Sequence, residues 1–113
     1  MDITHHEDSA NSGAVRLDTP LAQEIGFTSD KFEGYCWIMP SNTFVVSVIT
    51  SKHPGNGNLR ALFNNVLAKG YRIEVPTPLA RMRDICMRLG FHEEAAEDPD
   101  FGIVEILVKC PQE

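Results

Sequence analysis

In "YCWIMPSNTFVVSVIT", residues 35–50, two runs rich in aromatic and β-branched side chains flank Pro40-Ser41-Asn42. That arrangement predicts an antiparallel hairpin of Tyr35 to Met39 and Thr43 to Thr50, with Phe44, Val46 and Val48 sharing one face at period two. At Leu59 the period changes: Leu59, Leu62, Phe63, Val66 and Leu67 recur as the stripe of an amphipathic helix, and Gly70 supplies its stop. "YRIEV" alternates again, which predicts a strand over 71–75. Thr77-Pro78 then offers an N-cap and a first-turn proline for a second helix. Its expected buried face is Leu79, Met82, Ile85, Cys86 and Leu89, and Gly90 closes it. "HEEAAEDPD" reads as an acidic loop. "FGIVEILVK" reads as a last strand, whose apolar residues on both faces imply substantial burial. Upstream, Val15 to Leu17 suggests a short strand and "TPLAQEIGF" a short helix with Pro20 early in it.

Together these elements predict an α/β (α+β) fold built on one mixed sheet, an antiparallel hairpin followed by β-α-β-α-β. The crossover between the strands near residues 46 and 73 should be right-handed and make them parallel. The expected organisation is a single domain over 14–113 behind a flexible arm over 1–13. The start "MDITHHEDSANSG" is polar and acidic, unlike a secretory signal or transit peptide. No apolar run approaches the roughly 18 to 20 residues that cross a bilayer, so no membrane association is expected. Cys36, Cys86 and Cys110 are odd in number and lack C-x-x-C spacing, against a disulfide framework or a zinc site. The expectation is a cytoplasmic protein with no metal.

Charge refines this picture. The formal net charge of −6 argues against general nucleic-acid binding. Yet residues 52–88 carry seven Lys and Arg against Glu74 and Asp84 alone, while the rest of the chain is strongly acidic. The basic segment contains "KHPGNG", with Gly55 and Gly57 at the junction of the predicted strand and the first amphipathic helix. Glycines there satisfy either of two needs. They allow positive φ in a tight turn, or they let backbone N–H groups approach an anion at a helix N-terminus.

"KHPGNG" also resembles the coenzyme-A pyrophosphate loop of the GNAT superfamily of N-acetyltransferases, Q/R-x-x-G-x-G/A, with Lys52 in place of Gln or Arg. The order that follows is similar to the family's as well: a helix ending in glycine, a strand, a second helix and "RLGF" at 88–91. The resemblance spans residues 43–109. It implies acetyl-coenzyme A as cofactor and an amine as acceptor. It further implies that the first parallel strand splays from the second and that the free backbone of Val46, Ser47 and Val48 meets the pantetheine arm. The pyrophosphate would meet His53, Pro54, Gly55, Asn56, Gly57 and Asn58, with Lys52 and Arg60 as charge partners. The register can shift by two residues if Gly57 matches the motif's first glycine. His53 otherwise reads as a loop side chain.

The family pattern is not complete. Its usual helix-starting asparagine and its proton-donating tyrosine correspond to Leu79 and Cys86 here. Cys86 is therefore either a general acid for the leaving thiolate or a core residue on an apolar helix face. Glu33, Tyr35 and Ser41 are candidates for handling the acceptor's proton only by proximity to the hairpin. The readings that follow are an N-acetyltransferase, a catalytically reduced GNAT-like protein acting as a protein-binding or regulatory module with or without bound coenzyme A, and a module for another nucleotide. The last lacks the lysine-serine pair that follows the glycines in a Walker motif. A homodimer or a protein partner is expected alongside.

Overall fold

The computed structural model describes residues 13–111 except 77 and 79, and only the backbone of residue 80. The arm expected over 1–13 therefore lies outside the described residues apart from Gly13, as do the Thr77 N-cap and Leu79. The elements are β1 Gly13–Arg16, α1 Pro20–Ile25, β2 Phe32–Met39, β3 Thr43–Ser51, α2 Asn58–Ala68, β4 Arg72–Pro76, α3 Ala80–Arg88, β5 His92–Asp98 and β6 Gly102–Lys109. They form an α+β fold with a six-stranded mixed sheet in the order β1-β2-β3-β4-β6-β5. Among the described residues only β3 and β4 pair in parallel, and every other neighbour pair is antiparallel.

Local chemistry accounts for most of these boundaries. Thr19 stands in extended conformation before α1 and its Oγ1 accepts from Ala22 N–H at 3.4 Å, with Pro20 in the first turn. The α2 stripe buries Leu62, Phe63 and Val66. Asn65 ties α2 to α1, its Nδ2 donating to the Ile25 carbonyl oxygen at 3.0 Å.

One face of the sheet holds the core. Val15, Cys36 and Val46 are linked by register, as are Ile38, Phe44 and Ile73, and as are Val75 and Leu107. These pack in one cluster with Ala22 and Ile25 of α1, the α2 stripe and Cys86 of α3. The opposite face leaves Tyr35, Trp37, Met39 and Val48 substantially exposed.

Three expectations are corrected. The acidic segment from His92 is strand β5, not a loop, giving a β5–β6 hairpin after α3. Its carboxylates alternate between the two faces, where Glu93 pairs with Arg83 of α3 and Glu94 pairs with Arg72 of β4 at 2.8 Å. A charged strand also suits the sheet edge, where it discourages further pairing. Secondly, β6 is fully buried only around Ile106, Leu107 and Val108, while Ile103 and the turn residue Phe101 are largely exposed. Thirdly, Phe44, Val46 and Val48 do not share a face. Tyr35 pairs with Val48 but Cys36 pairs with Val46, so Ser47 is a β-bulge and Val48 turns outward to 51% exposure.

Candidate functional site: a basic cleft where two parallel strands part

The parallel ladder between β3 and β4 is short. It joins Thr43, Phe44 and Val45 to Arg72, Ile73 and Glu74, and then stops, although β3 runs on to Ser51 and β4 to Pro76. Beyond Val45 the β4 side of β3 has no strand partner. The bulge at Ser47 lies just past this point. After it, Ile49 turns toward the helix side, where it packs against the core cluster.

A cleft of about 760 Å³ opens at this end of the sheet, within the usual size range of small-molecule sites. One wall is Ile49 to Ser51 with the loop and helix start over 53–60, and the other is α3 through Arg81, Met82, Ile85 and Arg88, with Leu89 just after it. Gly55 and Gly57 have φ of +90° and +80°. A Cβ on either would meet nothing within 4 Å, so the backbone there faces open space. Gly57 is the N-cap of α2. No side chain caps it, and no acidic residue occupies the first turn. The first helical N–H groups and the positive end of the helix dipole are therefore left for another acceptor.

The charge of the lining is one-sided. Arg60, Arg81 and Arg88 line the cleft beside His53, and among the described residues no carboxylate does, in a chain with sixteen Asp and Glu against ten Lys and Arg. Such a wall favours an anionic ligand, since the field is not cancelled locally. Met82, Ile85 and Leu89 supply an apolar strip beside the α3 arginines.

Of the residues expected at a cofactor site, His53, Pro54, Gly55, Asn56, Gly57, Asn58 and Arg60 come together in this cleft. Val46, Ser47 and Val48, which precede the first lining residue Ile49, and Lys52, which stands between Ser51 and His53, are not part of its lining. Lys52 instead anchors the loop's start, its N–H donating to the Lys31 carbonyl at 2.8 Å. Cys86 is fully buried, and burial pushes its thiol up to about 11. It faces the core, while its neighbour Ile85 faces the cleft. The α3 wall was absent from the expected site. Its available signal was the seven-residue spacing of Arg81 and Arg88, nearly two full turns and hence one side of a helix.

Among the described residues, no group of three or more His, Cys, Asp or Glu is placed to hold a metal ion. No helix among them is long and apolar enough to cross a membrane. No family model, curated protein or solved structure matches the chain.

Proposed function

We propose that the protein is an acetyl-coenzyme-A-dependent N-acetyltransferase with a GNAT-like arrangement of strands, acting on an amine. The observation that carries this reading is a conjunction. A glycine loop and an uncapped helix N-terminus stand beside three arginines in a cleft free of carboxylates, at the place where two parallel strands part. Phosphate oxygens suit the loop and the α2 N-terminus, and Arg60 adds a fork-shaped donor set for the same group. The unpaired edge of β3 beyond Val45 offers backbone groups to an extended amide-containing arm, as an added strand would use. Acyl transfer then consists of amine attack on the thioester carbonyl, cleavage of the carbon–sulfur bond, and net movement of one proton from the amine to the leaving sulfur. The protein's main contribution would be alignment.

A second reading, a GNAT-like protein that binds coenzyme A and works through a protein partner, is favoured by the burial of Cys86. The residue aligned with the family's proton donor does not reach the cleft.

Titration of the purified chain with acetyl-coenzyme A and with desulfo-coenzyme A by calorimetry tests the ligand. No heat and no thermal shift at millimolar ligand would remove the enzyme and the coenzyme-A-binding form of the second reading. Incubation of amines, peptides and lysate with labelled acetyl-coenzyme A, read by mass spectrometry, separates them. Labelling above a protein-free control supports the enzyme, and binding without labelling supports the partner-directed protein.

A further inference from the structure

Helix α3 divides its arginines between two tasks. Arg83 turns to the sheet and bonds Glu93 of β5 and Glu105 of β6. Arg81 and Arg88 lie toward the opposite side of the helix and line the cleft. Positions two residues apart on a helix are about 200° apart in azimuth, and positions seven apart nearly coincide. Among the described residues neither Arg81 nor Arg88 is in a salt bridge. The cleft thus has two cationic walls, one formed by the α2 N-terminus with Arg60 and the other by Arg81 and Arg88. The second wall offers two guanidinium groups that the loop and the α2 N-terminus do not share.

We infer that Arg81 and Arg88 form a second anion subsite that takes the 3′-phosphate of coenzyme A. This inference rests on the proposed coenzyme-A site. A phosphate monoester carries a charge of nearly −2 at neutral pH and accepts from planar guanidinium forks, for which arginine is better suited than lysine. Met82, Ile85 and Leu89 line the cleft beside the two arginines, an apolar, polarizable surface suited to the adenine ring next to that phosphate. The α3 wall would therefore discriminate coenzyme A from 3′-dephospho-coenzyme A, and the α2 wall would not.

The test is calorimetric titration of the full chain, wild type and Arg81→Gln/Arg88→Gln, with coenzyme A and with 3′-dephospho-coenzyme A. Wild type should bind coenzyme A at least tenfold more tightly. The double variant should bind both ligands with the affinity that wild type shows for the dephospho form. Both arginines are exposed, so its thermal midpoint should match wild type and report that it is folded. Equal wild-type affinity for the two ligands overturns the subsite while leaving the coenzyme-A reading intact. Equal loss of both ligands in the double variant also overturns it, because the arginines would then serve the shared pyrophosphate. Failure of wild type to bind either ligand overturns the subsite together with the coenzyme-A reading.

Discussion

A Cβ placed on Gly34 would lie 1.9 Å from the backbone carbonyl oxygen of Val48 on the neighbouring strand. This close approach sits beside the bulge at Ser47, where the register of β2 against β3 shifts between Tyr35 and Cys36. Gly34 also has φ of +114°, which L side chains rarely adopt. Strain and a backbone clash therefore act together, and backbone cannot swing aside as a side chain end can. Gly34→Ala should cost about 2 kcal/mol or more, a fall in thermal midpoint of roughly 10 °C for a domain of this size. An unchanged midpoint by scanning calorimetry would show that the strands part freely at this point.

Phe63 of α2 is buried against Phe91, with ring centroids 5.3 Å apart. That contact joins the helix after the glycine loop to the residue that leads into β5. Truncation leaves a cavity that rigid neighbours fill only in part, so Phe63→Ala should cost about 3 to 5 kcal/mol. Since small domains hold only about 5 to 15 kcal/mol in total, urea titration should show a large drop in midpoint. A variant with the wild-type midpoint would mean that the stripe is not core.

The α2 stripe and the β2–β3 hairpin were legible because each is written in a short local period. The glycine loop was legible because the change of period brackets it. β5 was not, since Glu93 and Glu94 give a strand with charge on both faces, and what makes it a strand is Arg83, Arg72 and the backbone of β6. Nor was the bulge at Ser47, because Val46 to Val48 continues an unbroken alternation and the irregularity arises where Gly34 meets the partner strand. The α3 wall shows a different limit. Met82, Ile85 and Leu89 read as core, and they are half-buried because their side of the helix borders a cleft. Periodicity distinguishes the apolar side of a helix without saying whether a sheet or a ligand lies against it.

Gly57→Asp is the sharpest probe of the loop. Aspartate tolerates the left-handed backbone better than most residues, so the φ of +80° at this N-cap should survive the change with modest loss of stability. A carboxylate at the N-cap would satisfy the free helical N–H groups and occupy the space where phosphate oxygens would sit. Coenzyme-A affinity should fall at least tenfold, about 1.4 kcal/mol, and wild-type affinity should itself weaken as added salt screens the arginines. Calorimetry in low and high salt measures both effects. Undiminished affinity in a folded Gly57→Asp protein would place any nucleotide elsewhere.

Burial pushes the Cys36 thiol up to about 12 and the Cys86 thiol up to about 11 from an ordinary 9.0, the Ser47 backbone offsetting part of the effect at Cys36. A folded-state pKa above the unfolded one means that folding favours the protonated thiol. Its contribution to stability is complete below pH 9.0 and is lost as pH rises toward about 11 for Cys86 and about 12 for Cys36. Denaturant midpoints should therefore decline above pH 9, less steeply in Cys86→Ala. At pH 8 only the exposed Cys110 should react promptly with a thiol reagent, the other two becoming reactive on unfolding. The same burial bears on the proposed acetyl transfer, in which Cys86 would have to act from within the core. A fully buried thiol facing the core cannot deliver a proton to a sulfur leaving in the cleft, so Cys86→Ala should lower stability by about 1 kcal/mol with coenzyme-A affinity and turnover per folded molecule unchanged. A drop in turnover of about a hundredfold at constant affinity would instead mark it as the general acid, and would require α3 to rotate during the reaction.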